Sequence, residues 1–127
     1  MKIINTRMHG IFDYAAGIIL ILPWIAGYFQ NGSDTWMLAL TGLATIILSI
    51  FTDYEMGLIK VFPMKVHLFV DVVAALFLIS VPFLFPLVHY YLYWPVFLGI
   101  GELVIIVLSS SKPYVRSKHD MNITRPV

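Results

Sequence analysis

Long stretches without an ionisable side chain, tyrosine apart, restrict this chain more than any other feature. One runs from Tyr14 to Asn31, a second from Thr35 to Thr52 and a third from Val72 to Val88. A fourth, Tyr90 to Ser111, carries only Glu102. Each is close to the ~20 residues that a helix needs to cross the hydrocarbon core of a bilayer. A single such stretch could be the buried helix of a soluble domain, but four in a row have no amphipathic partner to cover them. Composition agrees: 12% of the 127 residues are charged and mean hydropathy is +0.88, against roughly 25% charged in soluble domains. A soluble chain of this size has too little interior to hide so much apolar surface. Disordered chains, nucleic-acid binders and ordinary soluble enzymes are thereby excluded. The expectation is an all-α membrane protein with four transmembrane helices, residues 1–127 forming one integral domain.

The basic residues give an orientation. Lys2 and Arg7 precede the first span, Lys60 and Lys65 lie between the second and third, and Lys112, Arg116, Lys118 and Arg125 follow the fourth. The connections near Gln30–Asp34 and His89–Tyr93 contain no Lys or Arg. The positive-inside rule puts all eight on the cytoplasmic side of a cell's inner (plasma) membrane, with both termini inside. Trp24, Tyr28, Trp36, Tyr90, Tyr91, Tyr93 and Trp94 fall where an outer aromatic belt belongs; Phe51, Tyr54, Phe62 and Tyr114 flank the inner side. The absence of cysteine removes disulfides, thiol catalysis and Cys-type metal sites.

The two halves repeat. Arg7-x-His9-x3-Asp13 recurs as Lys65-x-His67-x3-Asp71, and Trp36 as Trp94, each 58 residues on. Two tandem helical hairpins are expected, about 5–55 and 63–112, followed by a polar tail, 113–127. Two crossings per unit make the repeat parallel, with a pseudo-twofold axis along the membrane normal. His9, Asp13, Ala16, Gly17 and Leu20 form one helical stripe; His67, Asp71, Ala74, Ala75 and Leu78 form another. Thr41, Thr45, Ser49 and Thr52 step along the second span, and Gly99, Glu102, Ile106 and Ser109 along the fourth. Lipid cannot satisfy polar groups, so these stripes should face the bundle interior. Pro23 and Pro82 each remove a hydrogen-bond donor, so kinks are expected towards the outer ends.

The segment Gly17-x5-Pro23-Trp24-x2-Gly27-Tyr28, inside the first helix of a repeated two-helix unit, resembles the SPW repeat of small bacterial integral membrane proteins. The first unit has Leu22 where that family has serine, and the second has Ser80-Val81-Pro82-Phe83, without the tryptophan. The resemblance implies a four-helix membrane protein and transfers no catalytic residues.

The groups able to carry chemistry are few. His9 with Asp13, and His67 with Asp71, stand at i, i+4 and can touch on a helix. The plain expectation is an interfacial ion pair in each half, with Arg7 and Lys65 joining in. If the first and third helices face each other across the axis, two imidazoles and two carboxylates converge. They could then hold a divalent metal, or the two histidines could be axial ligands of haem b. Glu102 lies near the middle of the fourth span, where an unpaired charge costs at least ~2.5 kcal/mol. Its counterpart at the repeat offset is Ala44. A neutral Glu102 hydrogen-bonded to Thr41 or Thr45 is the plain expectation; a proton- or cation-carrying site is the functional one.

Three classes of function follow. One is a structural membrane component acting through the lipid bilayer, a homo-oligomer or another membrane protein, with no cofactor. A second is a proton- or cation-translocating element using Glu102 and the His/Asp pairs. The third is a metal- or haem-binding membrane protein through His9 and His67. None of them involves nucleic acid or reaches the specificity of an enzyme site.

Overall fold

The structure, a computed structural model, describes residues 2–27, 35–84 and 93–113. Tyr28, the 30–34 connection, His89, Tyr90, Tyr91 and the tail from Tyr114 onward, with Arg116, Lys118, His119 and Arg125, lie outside the described residues.

Among the described residues the secondary structure is helical apart from two short straps. Helix α1 spans Thr6–Ile25, α2 Thr35–Ile50, α3 Met64–Leu84 and α4 Tyr93–Leu108. Asn5 caps α1, its side chain accepting from the Met8 amide at 2.8 Å, which satisfies one of the free donors of the first turn. After Ala26 the chain leaves α1 at Gly27, whose φ of 67° suits a residue without Cβ. Pro23 and Pro82 both fall in the last turn of the described helix, where each lacks the N–H that would bond to the carbonyl four residues back. By length and apolarity α1 and α3 can each cross a membrane; α2 and α4 are shorter apolar helices of 16 described residues, ~24 Å of rise each.

Helix α1 packs along α2 and α3 along α4, both through close backbone approach. A Cβ on Gly42 would sit 2.5 Å from the Gly17 carbonyl oxygen and 2.8 Å from Leu20; one on Gly99 would sit 2.6 Å from the Ala75 carbonyl oxygen and 3.2 Å from Leu78. The two contacts correspond, with one adjustment to the sequence alignment. Gly17 and Ala75 are 58 residues apart, whereas Gly42 and Gly99 are 57 apart. On α4, Glu102 therefore stands where α2 has Thr45, not Ala44, and the place of Trp36 is taken by Tyr93.

Two backbone straps, absent from the sequence expectation, join the hairpins at the end of the bundle that carries the basic residues. Strand β1, Thr52–Asp53, pairs in parallel with β2, Phe62–Pro63, tying the end of α2 to the start of α3. At the other junction Ile4 bridges Ser109, with Ile3 and Ile4 amides donating to the Leu108 carbonyl at 2.9 and 3.0 Å, so the end of α4 holds the start of α1. Each histidine-bearing helix thus begins clamped to the end of a helix from the other hairpin.

Burial runs opposite to that of a soluble domain. Thr6, His9, Asp13, Ser49, Thr52, His67, Asp71 and Ser109 are buried, while Phe69, Phe97 and Val107 are among the many large apolar side chains facing outward. In water, apolar side chains go inside and contiguous apolar surface stays small. Away from the polar groups, Leu20, Leu38, Leu78 and Val81, backed by Phe77, Trp94 and Leu98, form an apolar core to which all four helices contribute.

Candidate metal centre

The inward stripes of α1 and α3 are the ones their spacing foretells: His9, Asp13, Gly17 and Leu20 on one helix, His67, Asp71, Ala75 and Leu78 on the other. Facing each other, they bring both His/Asp pairs together. His9, Asp13 and His67 are 0% exposed and Asp71 is 3%. One donor atom from each lies within 4.8 Å of the other three.

The cross-helix contacts rival those within each helix. His67 Nε2 is 2.9 Å from Asp13 Oδ2 and 3.1 Å from Asp71 Oδ2. His9 Nε2 is 3.2 Å from Asp71 Oδ2 and 3.4 Å from Asp13 Oδ1. Ser49 donates to Asp13 Oδ2 at 3.1 Å. The expected i, i+4 pairs form, but as one cluster and without Arg7 and Lys65: both cations are exposed, and each aspartate meets both imidazoles. Asp13 Oδ1 has no hydrogen-bond partner among the described residues.

The other ring nitrogens fix the tautomers. His9 Nδ1 lies 2.9 Å from Ser109 Oγ, and His67 Nδ1 lies 2.9 Å from Thr52 Oγ1. Each hydroxyl already donates its single hydrogen back to the helix that precedes it, Ser109 to the Ile105 carbonyl at 2.7 Å and Thr52 to the Leu48 carbonyl at 2.7 Å. The hydroxyl must therefore accept, and Nδ1 must carry the proton. That leaves both Nε2 atoms turned towards the carboxylates. A far N–H held by an oxygen is the outer contact that metal-bound imidazoles make; here each near nitrogen lies within ion-pair distance of carboxylate oxygens.

Donors ~2.1 Å from a tetrahedral centre are ~3.4 Å apart; here the four nitrogen–oxygen contacts, which use both oxygens of Asp13, run from 2.9 to 3.4 Å, and one donor atom from each residue spreads to at most 4.8 Å, a span that small side-chain adjustments would close around one ion. Mixed imidazole and carboxylate donors suit zinc, iron or manganese rather than calcium or copper(I). Haem b does not fit. The two rings meet edge to face with centroids 5.5 Å apart, and both carboxylates reach into the gap that a macrocycle would occupy.

Tyr54, expected at an interface, is instead 1% exposed. Its ring lies 5.6 Å from that of His67 and against Gly10, where any Cβ would overlap it. The loop is held by Thr6 donating to Glu55 and by Lys60 donating to the Tyr54 carbonyl at 3.1 Å. Burial pushes the Tyr54 phenol above its ordinary range.

Glu102 does not bond to Thr41 or Thr45. Those hydroxyls donate to the carbonyls one turn back, Met37 at 2.8 Å and Thr45's own partner Thr41 at 3.0 Å. Ser80 likewise donates to the Phe77 carbonyl. No family profile matches the chain, and neither a curated protein nor a solved structure matches it.

Proposed function

We propose that this chain is a small membrane protein, four helices crossing as two tandem hairpins, that binds one divalent transition-metal ion through His9, Asp13, His67 and Asp71. The inverted burial supports a lipid surround, since outward Phe69, Phe97 and Val107 are at home in acyl chains and the interior polar groups satisfy one another. α2 and α4, each apolar over 16 residues, pack along α1 and α3. The distribution of Lys and Arg supports cytoplasmic termini in an inner (plasma) membrane, which sets the metal centre in the cytoplasmic half. The paired contacts of Gly42 with Gly17 and Gly99 with Ala75 support a duplicated hairpin, and the likeness to the SPW repeat belongs to the same reading.

The observation that carries the metal reading is the commitment of both Nδ1–H groups to hydroxyls, which leaves two imidazole nitrogens aimed at two carboxylates. A divalent ion with two ionised aspartates and two neutral imidazoles is also electrically balanced, as a buried centre has to be. A purely structural membrane component would need no such convergence of donors. Translocation through the axis is less well supported, because the Leu20–Leu38–Leu78–Val81 core from α1, α2 and α3 is packed by Trp94 and Leu98 of α4.

The test is cobalt substitution in detergent. The purified chain is stripped with chelator, titrated with Co²⁺, and its visible absorption recorded. An intense band saturating at one ion per chain, and lost in His67→Gln, is expected. A wild-type chain without the band refutes the reading.

A further inference from the structure

Among the described residues, two buried side-chain atoms make no hydrogen bond, and they are of opposite kind. Asp13 Oδ1 can only accept, and an ion held at the metal centre accounts for it. The other is the hydroxyl of Tyr54, which the four ligands do not account for. A buried donor left unpaired is costly, so an orphan of this kind in a native structure calls for a partner.

The placement of the phenol is specific. Tyr54 follows β1, just beyond α2, at the end of the bundle that carries the basic residues. Its ring lies 5.6 Å from that of His67, tilted by 37°, and its hydroxyl ends against Gly10, 2.5 Å from where a Cβ would stand. Gly10 follows His9 and precedes Asp13 by three residues, so the hydroxyl reaches the helical turn that joins those two ligands. The side chain thus flanks one ligand and ends between two others, in a cradle that any residue larger than glycine would fill. Lys60 donating to the Tyr54 carbonyl and Tyr14 donating to the Met56 carbonyl, both at 3.1 Å, hold the loop in this position. The duplicated architecture does not itself ask for a phenol. Ser109 stands 57 residues after Thr52, and the same offset puts Ser111 in the place of Tyr54.

Charge and coordination say what the hydroxyl can meet. Zinc, cobalt, iron and manganese can all take a ligand beyond four. Asp13 and Asp71 already neutralise a divalent ion, so an anion added to it brings uncompensated charge into a buried site and needs a donor. The hydroxyls of Ser49, Thr52 and Ser109 spend their hydrogens on Asp13 Oδ2 and on the Leu48 and Ile105 carbonyls. Tyr54, protonated at neutral pH as a phenol is, still has its hydrogen to give.

We propose that the bound ion takes a small hydrogen-bond-accepting anion as a further ligand on the side facing Tyr54, and that the Tyr54 hydroxyl holds this anion by donating to it. This rests on the metal centre argued above and adds a ligand site to it. Tyr54 decides what binds to the ion, not whether the ion binds.

The experiment is anion titration of the cobalt-loaded full chain in detergent, with azide and, as a smaller probe, fluoride. Either anion is expected to shift the wild-type visible band saturably. Tyr54→Phe keeps the ring beside His67 and Gly10. It is expected to hold cobalt with a Kd changed by less than about threefold and to bind the anion about tenfold or more weakly, as befits one lost hydrogen bond to a charged group. A wild-type band that neither anion moves overturns the site. Equal anion affinity in wild-type and Tyr54→Phe chains overturns the role of the hydroxyl. A Tyr54→Phe chain that loses cobalt affinity in the same proportion also overturns it, because Tyr54 would then serve the ion itself. A wild-type chain without a cobalt band fails the metal centre first, so the two failures are distinguishable.

Discussion

Thr52→Val removes one oxygen while keeping the shape of the side chain. In the native chain Thr52 Oγ1 accepts from His67 Nδ1 at 2.9 Å, and both residues are 0% exposed. The variant leaves a buried N–H without its acceptor, which costs ~1–3 kcal/mol. It also frees the ring to move its proton to Nε2, the nitrogen that has to present a lone pair to the metal. Loss of such an outer partner costs ~10–100-fold in metal affinity, or ~1.4–2.8 kcal/mol at 1.4 kcal/mol per decade. The two ranges overlap because both count the same bond. The assay is chelator competition with zinc in detergent, comparing wild type, Thr52→Val and Thr52→Ser. Serine restores the acceptor and should restore most of the affinity. Unchanged zinc affinity in a folded Thr52→Val chain would refute the reasoning, since the hydroxyl would then orient nothing that matters to the ion.

Further expectations follow from the packing and the titratable groups. Gly42→Ala and Gly99→Ala should each destabilise by ~1–3 kcal/mol, because the new methyl meets backbone oxygen at 2.5 and 2.6 Å. Gly101→Ala, with nothing within 4 Å of the added carbon, should be neutral or stabilise by up to ~1 kcal/mol; thermal unfolding in detergent ranks all of them. Metal affinity should fall as pH drops, because protons compete for the imidazoles and carboxylates; a zinc Kd equal at pH 8 and pH 6 would count against these ligands. Tyr54 works in the alkaline range. Its phenol is pushed up on folding, so its contribution is intact below the ordinary tyrosine pKa of ~10 and is lost as pH rises through the higher folded value. Tyr54→Phe should therefore flatten the alkaline limb of a stability–pH curve.

The helices and the inward stripes were legible because period and charge-free length are local properties of the sequence. His9, Asp13, His67 and Asp71 share helical faces, and only one mutual arrangement of α1 and α3 buries both stripes. The roles of Thr52 and Ser109 were not legible. Both sit in the expected stripes, but their pairing with imidazole depends on how far α2 and α4 run before turning. A hydroxyl at the inner end of each returning helix, level with a histidine at the start of the next, is the signal that could have found them. The register of α4 was hidden for a similar reason: the tryptophans align at 58 residues, whereas the close glycine contacts align at 57. Tyr54 reads as an interface aromatic, because nothing local announces that Gly10 leaves room for its ring. The straps at Thr52–Asp53 and Ile4 are too short to have a pattern.

X-ray absorption at the zinc edge, on the full chain reconstituted in lipid vesicles, tests the central claim most directly. The account predicts one zinc per chain, with a first shell of light atoms at ~2.0–2.2 Å and the outer-shell scattering of two imidazole rings, reduced to one in His9→Gln. Substoichiometric zinc, or an oxygen-only shell without imidazole scattering, would contradict it.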